Sequence, residues 1–189
     1  MLRDLVLKNR SYRRFHEERA ISRDTLVELV DLARLSPSGG NMQALKYILS
    51  CDPKTNGRIF PYVAWAGYLK EWGGPKEGER PSAFIIILHD TTIRANAGID
   101  PGIAAQSITL GAAEKGLGAC MMGAIQRDAL RASMQIADQY EIALVIALGV
   151  PAETVVLEKV GPDGDVKYWR DAASVHHVPK RSLEEIIIG

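Results

Sequence analysis

The sequence predicts an α+β fold in which a central mixed or antiparallel sheet is wrapped by helices. Ala83 to His89, with Phe84 to Leu88 uninterrupted and apolar, reads as a strand buried on both faces, and Tyr140 to Val150, rich in Ile, Val and Leu, reads as another buried strand. Between and around these runs lie segments of helical periodicity with identifiable start and stop signals. The 189 residues are enough to bury a real core and predict a single domain over 1–189.

Leu2, Leu5 and Val6 mark a short amphipathic helix that stops near Asn9 and leaves a basic segment at its C-terminal end. A second helix starts after Ser22 as N-cap, lines up Leu26, Leu29, Val30 and Ala33, and cannot continue through Pro37. Leu45 to Cys51 reads as a strand. The stretch Lys54 to Ser82 reads as irregular, with one or two helical turns; its aromatics Tyr62, Trp65, Tyr68 and Trp72 suit either a lid over a planar substrate or packing against the core. Asp100-Pro101, Asp as N-cap and Pro at the first helical position, opens a helix that ends at Gly116. That helix is built of small residues and suits close packing against the sheet or against another protomer. Ala119 to Ile125 reads as a strand, and a helix runs from near Arg127 through Met134. Val155 to Val160 and Asp165 to Trp169 flank the turn sequence Gly161-Pro162-Asp163-Gly164 and predict a hairpin. Ser182-Leu183-Glu184-Glu185 is a capping-box pattern at a last helix or the entry to a terminal strand.

Composition narrows function. Lys plus Arg and Asp plus Glu each total 23, so no positive field steers the chain onto nucleic acid or an anionic membrane. No apolar run approaches the roughly 20 residues of a spanning helix, and charged residues interrupt the N-terminus where a signal peptide would be apolar. A cytoplasmic protein with no nucleic-acid or membrane partner is expected. Cys51 and Cys120 have no CxxC partner, and the adjacent His176 and His177 lack zinc-protease spacing, so no metal is expected.

Chemistry concentrates in two polar segments. Arg10-Ser11-Tyr12-Arg13-Arg14-Phe15 gathers guanidinium groups and a hydroxyl suited to a phosphate or an electron-rich heterocycle. Ser36-Pro37-Ser38-Gly39-Gly40-Asn41-Met42-Gln43 offers freed backbone N–H groups and two side-chain amides that can read the edge of a planar ring. In isolation, the arginines also read as caps on the first helix or as ion pairs with Glu17 and Glu18.

Taken with Gly116-Leu117-Gly118-Ala119-Cys120-Met121-Met122-Gly123 and Lys180-Arg181, these segments resemble, in the same order, the signatures of the FMN-dependent nitroreductase family. The resemblance implies a nitroreductase-like homodimer with FMN at the subunit interface, the Arg10 to Arg13 segment and the Ser38 to Gln43 clamp coming from partly different subunits. It implies that Arg10, Ser11, Lys180 and Arg181 cradle the phosphate, that Arg13 faces the N1/O2 edge of the flavin, that Asn41 and Gln43 read the pyrimidine edge or ribityl chain, and that Pro37 and Ser38 belong to the same cofactor-binding clamp. Backbone groups of Met122 and Gly123 would lie near flavin N5. Asn9 departs from the pattern, in which a further arginine precedes the R-S pair. The implied activity is ping-pong oxidoreduction: hydride passes from NAD(P)H as a transient co-substrate to flavin N5 and on to a nitroaromatic, quinone or related acceptor. No catalytic side chain is required, and Tyr62, Trp65 and Tyr68 are candidate substrate-side residues. Relatives with the same cradle dehalogenate reductively or fragment flavin, and a non-catalytic flavin-binding dimer is a third alternative. No G-x-G-x-x-G follows a strand, so a separate Rossmann site is not indicated.

Overall fold

The computed structural model describes all 189 residues, Met1–Gly189. Six helices and eight strands alternate along it: α1 (Leu2–Lys8), β1 (Phe15–His16), α2 (Arg23–Leu35), β2 (Leu45–Ser50), α3 (Pro53–Ile59), β3 (Ala83–Asp90), α4 (Asp100–Glu114), β4 (Gly118–Met122), α5 (Arg127–Met134), β5 (Tyr140–Pro151), β6 (Val155–Lys159), β7 (Trp169–Arg170), β8 (His176–Lys180) and α6 (Leu183–Ile186). The main sheet runs β1-β5-β3-β2, with β4 beside β5 on the same edge as β1, and every pairing in it is antiparallel.

Two-residue alternation on β3 and β5 divides the core. Ile85, Ile87, Ile146 and Leu148 meet Leu26 and Leu29 of α2 and Ala105 and Ile108 of α4 on one face. Phe84, Ile86, Val145 and Ala147 meet Phe15, Ile59 of α3 and Leu130 of α5 on the other. Strand β3 is therefore buried throughout, as its unbroken apolar run predicts. On α2, Ser22 Oγ accepts the Thr25 N–H at 3.1 Å. The small residues of α4 let α2 approach closely: a Cβ on Gly111 would lie 2.3 Å from Leu32 Cδ1 and 3.1 Å from Leu29 Cδ2. The face of α4 carrying Ile99 and Gly102 stays exposed.

Three local expectations change. Asp100 is inside α4 rather than capping it; Ile99 is the N-cap, and the Asp100 carboxylate turns back to accept the Gly39 N–H at 3.0 Å. In the irregular stretch, α3 begins earlier than anticipated, capped by Asp52 with Pro53 behind it. The predicted hairpin does not form. Gly161–Gly164 turns, but Asp163 and Asp165 accept the N–H groups of Asp165 and Lys167, which a ladder would need. Instead β6 pairs with β8 in parallel and β7 pairs with β8 antiparallel, forming a separate three-stranded sheet.

A pair of glycines positions the basic segment. Gly118 and Gly149 face each other across β4 and β5. A Cβ on Gly118 would stand 2.8 Å from the Tyr12 ring, and one on Gly149 2.7 Å from the Phe15 ring. The missing side chains let residues 11–15 lie directly on the sheet. Gly149→Ala is expected to cost about 1–3 kcal/mol by overpacking, measured by urea denaturation; a loss below about 0.5 kcal/mol would mean Phe15 moves freely.

Candidate functional site

A cavity of ≈ 340 Å³ opens where the N-terminal segment, α4, β4 and β8 meet. Arg10, Ser11, Arg13 and Lys180 all line it, and no carboxylate does. Ala119, Met121 and Val178 supply apolar wall. Three cations without a lining anion are chemically able to hold a phosphate or another anion carrying an apolar body. Arg10 reaches back to cap α1, its Nη2 donating to the Val6 carbonyl at 2.7 Å, while its Nε is buried without a partner. The Asn9 amide donates to Thr109 Oγ1 at 2.8 Å, joining the segment to α4.

Arg13 is the most buried of the cations. Its guanidinium lies 4.6 Å over the Tyr168 ring and donates to the Ser11 carbonyl at 3.2 Å and to His176 Nε2 at 3.0 Å. Because a guanidinium has no acceptor, Nε2 must offer its lone pair and the His176 proton sits on Nδ1. Beneath the segment, the Glu153 side chain is 0% exposed; it accepts the backbone N–H groups of Arg13 and Arg14 and pairs with Arg170 at 2.9 Å. Arg14 turns away to pair with Glu79, not with Glu17 or Glu18.

The adjacent histidines separate because a strand sends neighbours to opposite faces. His176 is buried, and desolvation, with Arg13 and Arg170 adding to it, pushes its pKa down to about 4. His177 stacks on Trp169 with centroids 4.0 Å apart; burial pulls its pKa down, but the hydrogen bonds it donates to Asp171 and Glu158 prevail and raise it. Their pH effects oppose each other. His176 binds a proton in the unfolded chain but not in the native one between its ordinary 6.5 and about 4, so stability should fall by roughly 3 kcal/mol as pH drops through that window. His177 contributes stability below 6.5 that is lost as pH rises through its elevated native value. Denaturant melts across this range check both, and a His176→Gln protein that kept the acid-side loss would contradict the assignment.

The remaining expected residues are placed elsewhere. Pro37, Ser38 and Gln43 line a separate cavity of ≈ 130 Å³ with Asp100 and Ala104 of α4. Ala104 of α4 lines this cavity and Gln106 lines the cationic one, but the two share no lining residue, so within one chain the clamp and the cations open into different cavities. The clamp is a tight turn: Gly40, Asn41 and Gln43 all take positive φ, at 59°, 54° and 52°, and Ser38 Oγ accepts the Gln43 N–H at 3.2 Å. Asn41 is exposed. Positive φ at two non-glycine residues is the kind of strain that collects at ligand clamps.

Arg181 leaves the cavity that Lys180 lines; it follows β8 and pairs with Glu185 of the α6 capping box at 3.3 Å. Met122 is buried in the core, and Met121 takes the cavity wall. Ala119 accepts the Tyr12 N–H on the side of β4 away from β5, so alternation gives Met121 that open side and turns the Met122 backbone toward β5. Gly123, just past the strand, is exposed.

Among the aromatics, Tyr62 and Trp65 pack against the core, Trp65 against Phe60 with centroids 5.8 Å apart. Tyr68 is 53% exposed and reaches the rim through Tyr168, centroids 4.9 Å apart. Asn9, Thr109, Tyr168, His176 and Glu153 belong to the site and were not singled out for it in the sequence. Only the alternation at His176-His177 could have shown that one of the two faces inward.

A family model described as the nitroreductase family matches residues 6–150. Among solved structures, a nitroreductase family protein from Clostridium novyi NT superposes with a TM-score of 0.65 at 21% identity, covering 98% of each chain. An FMN-dependent nitroreductase from Clostridium difficile gives a TM-score of 0.61 at 22% identity, over 78% of this chain and 86% of that one. A nitroreductase family protein from Clostridium difficile 630 gives 0.65 at 20%, over 81% and 85%. No curated protein matches. No helix is long and apolar enough to cross a membrane. With the match spanning β1 through most of β5, and so the whole main sheet and the basic segment laid upon it, the chain belongs to the nitroreductase family.

Proposed function

We propose that residues 1–189 form a single FMN-binding domain of an NAD(P)H oxidoreductase that acts on nitroaromatic, quinone or related acceptors by a ping-pong scheme. The observation that carries this reading is the convergence of Arg10, Ser11 and Arg13 with Lys180, 170 positions along the chain from the first of them, around a cavity with no carboxylate in its wall. The donor set suits a phosphorylated flavin: cations and a hydroxyl for the phosphate, apolar wall for a ring, and a buried Arg10 Nε still lacking an acceptor. When bound, FMN would supply the hydride-accepting and hydride-donating centre.

The protein's own task is to bind, orient and bias. Arg13, held flat by Tyr168 and His176, is a fixed cation that favours a negatively charged partner over a neutral one. With His176 kept neutral, the positive charge at this point stays on the guanidinium. Exposed apolar residues on α1 (Leu2, Val6, Leu7) and in the tail (Ile186, Ile187, Ile188) support a homodimer in which the clamp of one subunit completes the cavity of the other.

Purified protein, alone and after added FMN, is expected to show the flavin absorption bands and to oxidise NAD(P)H in the presence of a quinone. Colourless protein that takes up no FMN would defeat the reading. Yellow protein without turnover would leave only a flavin-binding dimer.

A further inference from the structure

A second cavity, ≈ 440 Å³ in volume and sharing no lining residue with the cationic one, opens beside α3 and the segment 80–82. Its apolar walls include Phe84, Phe60 and Pro53. Most of its polar groups are already matched. Asn56 accepts the Ser50 hydroxyl at 2.6 Å and donates to the Ser82 carbonyl at 2.8 Å, and Glu17 accepts the backbone N–H of Gly78 at 2.6 Å and of Arg80 at 3.4 Å.

Two donor-bearing groups are not matched. Ser82 is 8% exposed and its Oγ is buried without a hydrogen-bond partner. The Arg80 guanidinium lies 4.8 Å over the Phe60 ring and pairs with no carboxylate. A buried hydroxyl without a partner is costly, and a cation set on an aromatic wall is pre-oriented for a planar anion. The volume lies within the roughly 300–1,000 Å³ of small-molecule sites. We propose that this cavity binds a small aromatic carboxylate, its ring against the exposed Pro53 and Pro61 and its carboxylate accepting from Arg80 and Ser82. This site is independent of the flavin reading.

Cys51 lines the same cavity and is half-buried, which supplies a reporter. The other thiol, Cys120, is buried in the core, and desolvation pushes its pKa up to about 11, so iodoacetamide should modify Cys51 selectively. Naphthoate is the probe and neutral naphthamide its control, with alkylation of Cys51 followed by mass spectrometry. Naphthoate at millimolar concentration should slow alkylation saturably, and naphthamide should do so about tenfold less effectively. Arg80→Gln should weaken the naphthoate effect by about tenfold. Gly57→Leu, at a lining position where an added Cβ meets nothing within 4 Å, should abolish it while keeping the fold. Absence of protection, equal protection by the amide, or protection surviving Gly57→Leu would each overturn the proposal. Competition by FMN would also overturn it, by assigning the naphthoate to the cationic cavity.

Discussion

Glu153→Ala is expected to lower the free energy of unfolding by about 3–5 kcal/mol, because it removes one half of a buried ion pair and leaves the other half in place. The Glu153 side chain is 0% exposed, and Arg170, its partner at 2.9 Å, is only 14% exposed and lies 4.7 Å over the Trp72 ring, with little freedom to reach water. The backbone N–H groups of Arg13 and Arg14 would lose their shared acceptor at the same time. Glu153→Gln keeps the shape and one acceptor oxygen but not the charge, and should cost less than the alanine. Urea denaturation of both variants decides it; a loss below about 1 kcal/mol for the alanine would mean that water or another side chain fills the site. Because this carboxylate anchors the segment bearing the cations, the alanine variant should also lose anion affinity under conditions where it remains folded.

Arg13→Ala should weaken FMN binding by roughly 10- to 100-fold, the equivalent of a charge-assisted hydrogen bond worth about 1.5–3 kcal/mol. Arg13→Lys should recover only part of that loss. A lysine ammonium can approach the Tyr168 face but cannot reproduce the flat fork that meets Tyr168, the Ser11 carbonyl and His176 together. A second readout needs no flavin. The guanidinium at 3.0 Å is one of the groups holding the His176 pKa near 4, so its removal should move that value up toward 6.5 in an NMR titration. Unchanged FMN affinity would remove Arg13 from the cofactor site, and an unmoved His176 titration would show that burial and Arg170 set it without Arg13.

The elements were largely legible because each rests on short-range chemistry. The Ser22 cap, the stop at Pro37, the unbroken apolar run of β3 and the Ser182/Glu185 capping box all act over a few residues. The hairpin at 161–164 failed for an equally physical reason. A correct turn signal says nothing about whether the flanking backbone donors are free, and here Asp163 and Asp165 occupy them. Neighbouring residues of similar type were also hard to tell apart. Lys180 lines the cavity while Arg181 turns to α6, and Met121 takes the wall while Met122 enters the core, because one step along extended backbone reverses the side-chain direction.

Periodicity, caps and turn residues sufficed to define the layered fold, and the composition of the basic segment sufficed to single out a cluster of cations, since both are written into neighbouring residues. Which groups share a cavity was settled by long-range packing. Glu153 is 140 residues from Arg13, and His176 is 163; the glycine pair at 118 and 149 lets the N-terminal segment reach the sheet, where these partners meet it. That clamp and cations open into different cavities beside α4 was equally invisible to local pattern, because it follows from how the helix docks on the sheet.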